Sequence, residues 1–135
     1  MAIYDDIREA LDSELAAQSG LPTIFFENVP SEASSPTAYL STRMFFTSRR
    51  PSVRGPNPQM RYEGIYRIIV CVPKRSGTGD ALGYAETLTT AFDGSTDIEG
   101  ANQTVSIDFT ELASPFEQEP YWCLPVDVNW YTYGP

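Results

Sequence analysis

With 135 residues, the chain has room for one domain with a sizeable core but none for a second, catalytic one. Hydrophobic residues make up 41% and aromatics 13%, a globular, sheet-leaning composition that excludes general disorder. The formal net charge is -9 and histidine is absent, which rules out a Ser-His-Asp triad, a Cys-His pair or an H-E-x-x-H zinc site.

The opening residues, "MAIYDDIREALDSELAAQ", lack the basic start and apolar run of a signal peptide. No later stretch approaches the ~20 apolar residues of a membrane span, so a soluble protein with no membrane partner is expected. Within this opening, Ile3, Ile7, Leu11 and Leu15 recur at helical spacing, Asp5 and Asp6 suit the first turn, and Arg8 can pair with Asp12. "SGLP" should end this helix, with Gly20 as a left-handed cap and Pro22 unable to continue it.

A short strand is expected at "TIFFEN", then a Ser/Pro turn, then a strand over 38–46 with Leu40, Met44 and Phe46 on one face. Residues 47–59, "TSRRPSVRGPNPQ", have three prolines, three arginines and little alternation, and read as a long loop, a tongue projecting from a hairpin. The strand over 62–72 has apolar residues on both faces and should be central and covered on both sides. A second helix is expected from Asp80, as N-cap, to Phe92, with Ala81, Ala85, Leu88 and Phe92 as its buried stripe. After the acidic turn "DGSTDIEG" come a strand over 104–109, a Pro-containing loop to Pro120, and a last strand alternating through Trp122, Leu124, Val126, Val128 and Trp130.

This order predicts an α+β fold: one domain over 1–135 built on an antiparallel or mixed sheet, with two helices packed on one face and a long hairpin-like loop. Cys71 and Cys123 fall inside strand-like runs without zinc-ligand spacing, and read as buried thiols rather than a disulfide.

No motif for bond-making chemistry survives inspection. Gly77, Gly79 and Gly83 give G-x-G-x-x-x-G, one residue too long for a dinucleotide turn, and no lysine follows to make a phosphate loop. "DGSTDIEG" begins with the alternate oxygens of a calcium loop but has Ile98 where the turn needs glycine and Thr104 where a bidentate glutamate belongs. Glu117 and Glu119 lack the context of a glycosidase carboxylate pair. No enzyme activity, cofactor or metal is expected.

Charge is the more informative feature. Between residues 43 and 75, eight basic residues oppose Glu63 alone, giving +7, while the remainder sets Arg8 against seventeen acids, giving -16. A molecule so divided suits stacking on copies of itself or on an oppositely charged partner. Arg43, Arg49, Arg50, Arg54 and Arg61, with Val53 and Met60 supplying apolar area, are the candidate contact residues. A nucleic-acid module using the same loop is the alternative from a different class, but no recognition helix, zinc finger or stacking platform accompanies the arginines.

The stretch "YEGIYRIIVCVPKRSGTGDALGYAETLTTAFDGSTDIEGANQTVSID" resembles the phage tail terminator family of long-tailed phages. The likeness lies in a Gly-hydrophobic-Tyr strand, a proline and a Gly-containing linker, an Ala-rich helix ending near a phenylalanine, and a Val-x-Ile strand. The matched positions are Gly64, Ile65, Tyr66, Pro73, Gly77, Phe92, Val105 and Ile107. "IREALDSEL", "IFFENV", "TAYLSTRM" and "YWCLPVDVNWY" are similar to the family's flanking elements, although the basic tongue is longer and richer in arginine than the family pattern. The resemblance implies a structural virion protein of the tail or neck, assembled in the host cytoplasm. It would form a homo-oligomeric, six-fold ring that caps the tail tube, ends polymerisation and meets the head-tail connector, with DNA only as cargo passing through the lumen. A neck or head-completion protein is the alternative within the same setting.

Overall fold

The computed structural model describes residues 3–27, 37–53, 55–56, 58–74, 78–94 and 97–135. The elements in chain order are α1 (Ile3–Ala16), β1 (Thr23–Phe25), β2 (Tyr39–Pro51), β3 (Met60–Pro73), α2 (Gly79–Ala91), β4 (Asp97–Glu99), β5 (Thr104–Leu112), β6 (Phe116–Gln118) and β7 (Tyr121–Gly134). They form a mixed sheet in the order β1-β2-β3-β7-β5-β4, with β6 also paired to β7. Among the described residues only the β1–β2 pair is parallel. The expected α+β class is what forms.

Both helices lie on one face of this sheet. Ile7, Leu11 and Leu15 from α1 and Ala81, Ala85 and Leu88 from α2 share one buried cluster with Tyr66, Ile68, Val126, Val128 and Trp130 of the central strands. Each buried isoleucine, leucine or valine among these contributes about 1.5–3 kcal/mol by leaving water, and this holds the helices down more firmly than their own propensities. Arg8 bridges Asp5 and Asp12 along α1, each at 2.7 Å, and Gly20 takes φ 77° as the sequence predicts. The Tyr66 hydroxyl donates to Asp12, tying α1 to β3, and burial pushes the Tyr66 phenol well above its ordinary value.

Gly64 is where sheet and core meet most closely. A Cβ there would lie 2.2 Å from the Phe45 carbonyl oxygen and 2.4 Å from the Trp130 ring. The glycine in the Gly-hydrophobic-Tyr pattern is therefore required by space: it lets the Trp130 ring pack close against β3.

Several expectations are corrected. The stretch 47–59 is not a loop throughout: β2 runs to Pro51 and β3 begins at Met60, so the arginines ride on a two-stranded ribbon and only 52–59 connect its strands. The reason is register, since Arg49 and Arg50 find cross-strand partners in Tyr62 and Arg61 that a strand-by-strand reading cannot see. Helix α2 starts at Gly79, and the residue before it, Thr78, makes no capping side-chain bond, so Asp80 lies within the first turn and not at the cap. The acidic turn contains β4 and the Pro-containing loop contains β6, each three residues long and held by pairing to a longer neighbour.

β3 is central, but only its helix-side face is fully covered; Ile65, Arg67 and Ile69 on the other face are half-buried. Finally, Cys71 and Cys123 are joined as a disulfide, against the thiol expectation. They stand directly opposite each other on β3 and β7 with Cα atoms 4.1 Å apart, a consequence of sheet register that the spacing in sequence does not reveal. Around them Tyr39, Ile69 and Tyr121 make a small second apolar cluster on the face away from the helices.

Candidate functional site

The basic ribbon owes its geometry to one extra residue. Phe46 pairs with Gly64 and Ser48 with Glu63, leaving Thr47 unpaired as a bulge. Before the bulge Leu40, Thr42, Met44 and Phe46 face the helices. After it the alternation is shifted, so Arg49 sits beside Tyr62 on the helix side and Arg50 beside Arg61 on the open side.

Each of these arginines has a partner on the ribbon. Arg49 Nε donates to the Tyr62 hydroxyl at 3.2 Å, and its guanidinium lies 5.6 Å from that ring's centroid. Arg61 Nε donates to Glu63 Oε1 at 2.6 Å, its Nη1 to the Tyr133 hydroxyl at 2.8 Å, and its guanidinium covers the Tyr131 ring at 4.3 Å. Arg50 approaches the same Glu63 carboxylate at 3.6 Å. The hydrogen bond from Arg61 holds Glu63 below the usual carboxylate range, and the same bond raises the Arg61 guanidinium.

Of the predicted contact residues, Arg43, Arg49, Arg50 and Val53 are exposed, while Met60 and Arg61 are half-buried. Arg54 lies outside the described residues. Arg49, Arg50 and Arg61 come together around Tyr62 and Glu63, and Met60 packs against the core beneath them. Arg43 stands apart. It faces the open side and lines a depression with Phe25, Tyr39, Phe45, Arg67 and Phe116, with no ion-pair partner among the described residues.

The sequence reading missed the opposite margin of the sheet. On β5, Asp108, Phe109, Glu111 and Leu112 are all exposed, and Phe116 of β6 is exposed beside them. The alternation in "SIDFTEL" carries the signal, but without register it resembles any solvated strand end. Cross-strand pairing lines up two rows on the open face. One runs Arg43, Arg67, Asp127, Glu111 across β2, β3, β7 and β5, and the next runs Phe45, Ile65, Asn129, Phe109. Within the first row Arg67 and Asp127 neutralise each other at 2.7 Å, which leaves a cation at one end and an anion at the other.

The potential acid pair at Glu117 and Glu119 is an ion-pair site for Lys74, which lies 3.1 Å from Glu117 and also bonds Glu119. Asp97, from the calcium-like stretch, accepts a hydrogen bond from Ser106 at 2.7 Å. What the surface offers is charge and apolar area along two sheet margins, which suits recognition of protein surfaces.

Comparison with known proteins agrees with this character. Residues 2–130 match the family described as phage tail terminator protein. No curated protein matches. A solved structure aligns with TM-score 0.69 at 16% identity, covering 96% of this chain and 92% of that one, a likeness that speaks for the fold alone. The family match spans nearly the whole chain, including the Gly64 strand, both helices and most of the closing strand. The chain belongs to the phage tail terminator family, and is a structural component of the virion tail rather than an enzyme.

Proposed function

We propose that the protein, as one domain over residues 1–135, forms a homo-oligomeric ring, six-fold by analogy with its family. The ring docks on the last ring of the tail tube, stops further polymerisation and presents its other side to the head-tail connector. Assembly takes place in the host cytoplasm, and DNA crosses the lumen as cargo. Arg43, Arg49, Arg50, Val53, Arg54, Met60 and Arg61 belong to the ring or tube contact.

The observation that carries this reading is the separation of unlike surfaces in a member of a terminator family. A basic ribbon projects at one sheet margin, and an acidic, apolar margin lies at the other. A subunit of a closed ring needs two different faces that fit each other, whereas a two-fold dimer would use one face twice. Exposed ion pairs contribute only about 0–1 kcal/mol each, so the exposed Phe45, Phe46 and Val53 beside the arginines supply the apolar area that a stable contact requires.

The test is electron microscopy of the purified protein mixed with tail tubes assembled from the cognate tube protein. A cap at one end of each tube, with no further growth from that end, is the expected result. Binding along the tube wall, or to the portal side alone, would overturn it and favour a neck protein.

A further inference from the structure

We infer that copies of this chain join head to tail through the two lateral margins of the sheet, the β2 margin of one copy meeting the β5 margin of the next, with Arg43 facing Glu111 and Phe45 facing Phe109 across the junction. This rests on the ring reading above and identifies the surfaces that would close the ring. Three independent features of the molecule lead to it.

The first is where apolar area is exposed. Phe45 and Phe46 on β2 and Phe109 and Leu112 on β5 are each 41–48% exposed, on opposite margins of one sheet. Large apolar side chains left in water in two matched pairs mark two contact surfaces better than one.

The second is charge. The four-residue row ends in an unpaired cation, Arg43, on β2 and an unpaired anion, Glu111, on β5, while its two inner members satisfy each other. Among the described residues, neither end has an ion-pair partner within the chain. A second copy set beside the first in the same orientation brings these ends together, and the neighbouring row brings Phe45 to Phe109.

The third is strand direction. β2 is antiparallel to β3, β3 to β7 and β7 to β5, so β2 and β5 run in opposite senses. Rotation about an axis along the strands therefore sets β2 antiparallel to the next copy's β5, where directly opposed side chains interact. The Glu27 carboxylate already accepts the Met44 N–H at 3.0 Å on the outer side of β2, so side chains rather than a continuous main-chain ladder carry this junction.

The experiment pairs charge exchange with cross-linking, both read by sedimentation and by gel, with and without tail tubes. Arg43→Glu alone and Glu111→Arg alone should each raise the concentration for half-assembly by at least roughly tenfold, and the double variant should return it toward the unmodified protein. Phe45→Cys protein mixed with Phe109→Cys protein should give disulfide-linked dimers on mild oxidation, while neither variant alone does. Circular dichroism checks that each variant keeps its sheet.

If the unmodified protein assembles but the exchange does not restore assembly and the mixture does not cross-link, the inference is overturned and the ring reading stands. Cross-linking in either single-cysteine sample alone would mean a two-fold contact and would also overturn it. Cross-linked chains that fail to cap tubes would support this junction while refuting the capping role. A protein that stays monomeric alone and on tube ends would refute both.

Discussion

Arg67 and Asp127 stand directly opposite each other on β3 and β7, joined by two parallel hydrogen bonds, Nε to Oδ1 at 2.7 Å and Nη2 to Oδ2 at 3.0 Å. The acid side chain is 8% exposed and the arginine 35%, so the two depend on the bond unequally. Arg67→Met strands a carboxylate in the sheet and should cost about 2–3 kcal/mol at neutral pH, below the range for a fully buried pair because water reaches the arginine. Asp127→Leu leaves a guanidinium that can turn to solvent, and should cost about 1 kcal/mol. The double variant should recover most of the larger loss, as read by urea unfolding.

Gly64→Ala should be among the most damaging single changes in the chain. The new methyl would meet a carbonyl oxygen of the neighbouring strand and the Trp130 ring, and the carbonyl cannot move without breaking the β2–β3 ladder. We expect a loss of at least ~2 kcal/mol in chemical denaturation, with no rescue by Trp130→Phe, because the clash with the Phe45 carbonyl remains.

Glu63 makes stability depend on pH in a stated direction. Its carboxyl titrates below the ordinary value of 4.5 in the folded protein, chiefly through the Arg61 hydrogen bond. A depressed folded value contributes stability that is in place above the unfolded value and lost as pH falls through the folded one. Glu63→Gln should therefore flatten the fall in thermal midpoint as the pH drops below the ordinary value of 4.5 and have less effect on its slope near neutrality.

Replacing Arg49, Arg50 and Arg54 together with serine should leave the fold intact and abolish tube-end capture or ring formation. Arg49 and Arg50 are exposed and their internal partners are a tyrosine and a shared glutamate, so little of the fold's stability rests on them. Unchanged capture and unchanged ring formation in this variant would remove the ribbon from the proposed contact.

Reading the sequence locates the elements that organise themselves. Ile3 to Leu15 and Ala81 to Phe92 declare helices by spacing, and the alternation from Trp122 to Trp130 declares a strand, because each pattern is completed within a dozen residues. What depends on distant chain is hidden. β4 and β6 exist through pairing to β5 and β7, the Arg49–Pro51 extension of β2 exists through β3, and Cys71 meets Cys123 across 52 residues of sequence. The candidate contact residues were legible as a composition anomaly on one margin. Their counterpart on β5 was not, because Phe109 and Glu111 acquire meaning only when register sets them in line with Phe45 and Arg43.

Strand alternation sends the adjacent cations Arg49 and Arg50 to opposite sides of the protein, and the unpaired Thr47 sets which of them goes where. With Arg49 aimed past the helices and Arg50 aimed past the open sheet, one short ribbon can touch two different neighbours at once. Excising that single threonine would leave Ser48 opposite Glu63 and Arg49 opposite Tyr62, so the grip would keep both prongs while the strand beneath them lost its bend.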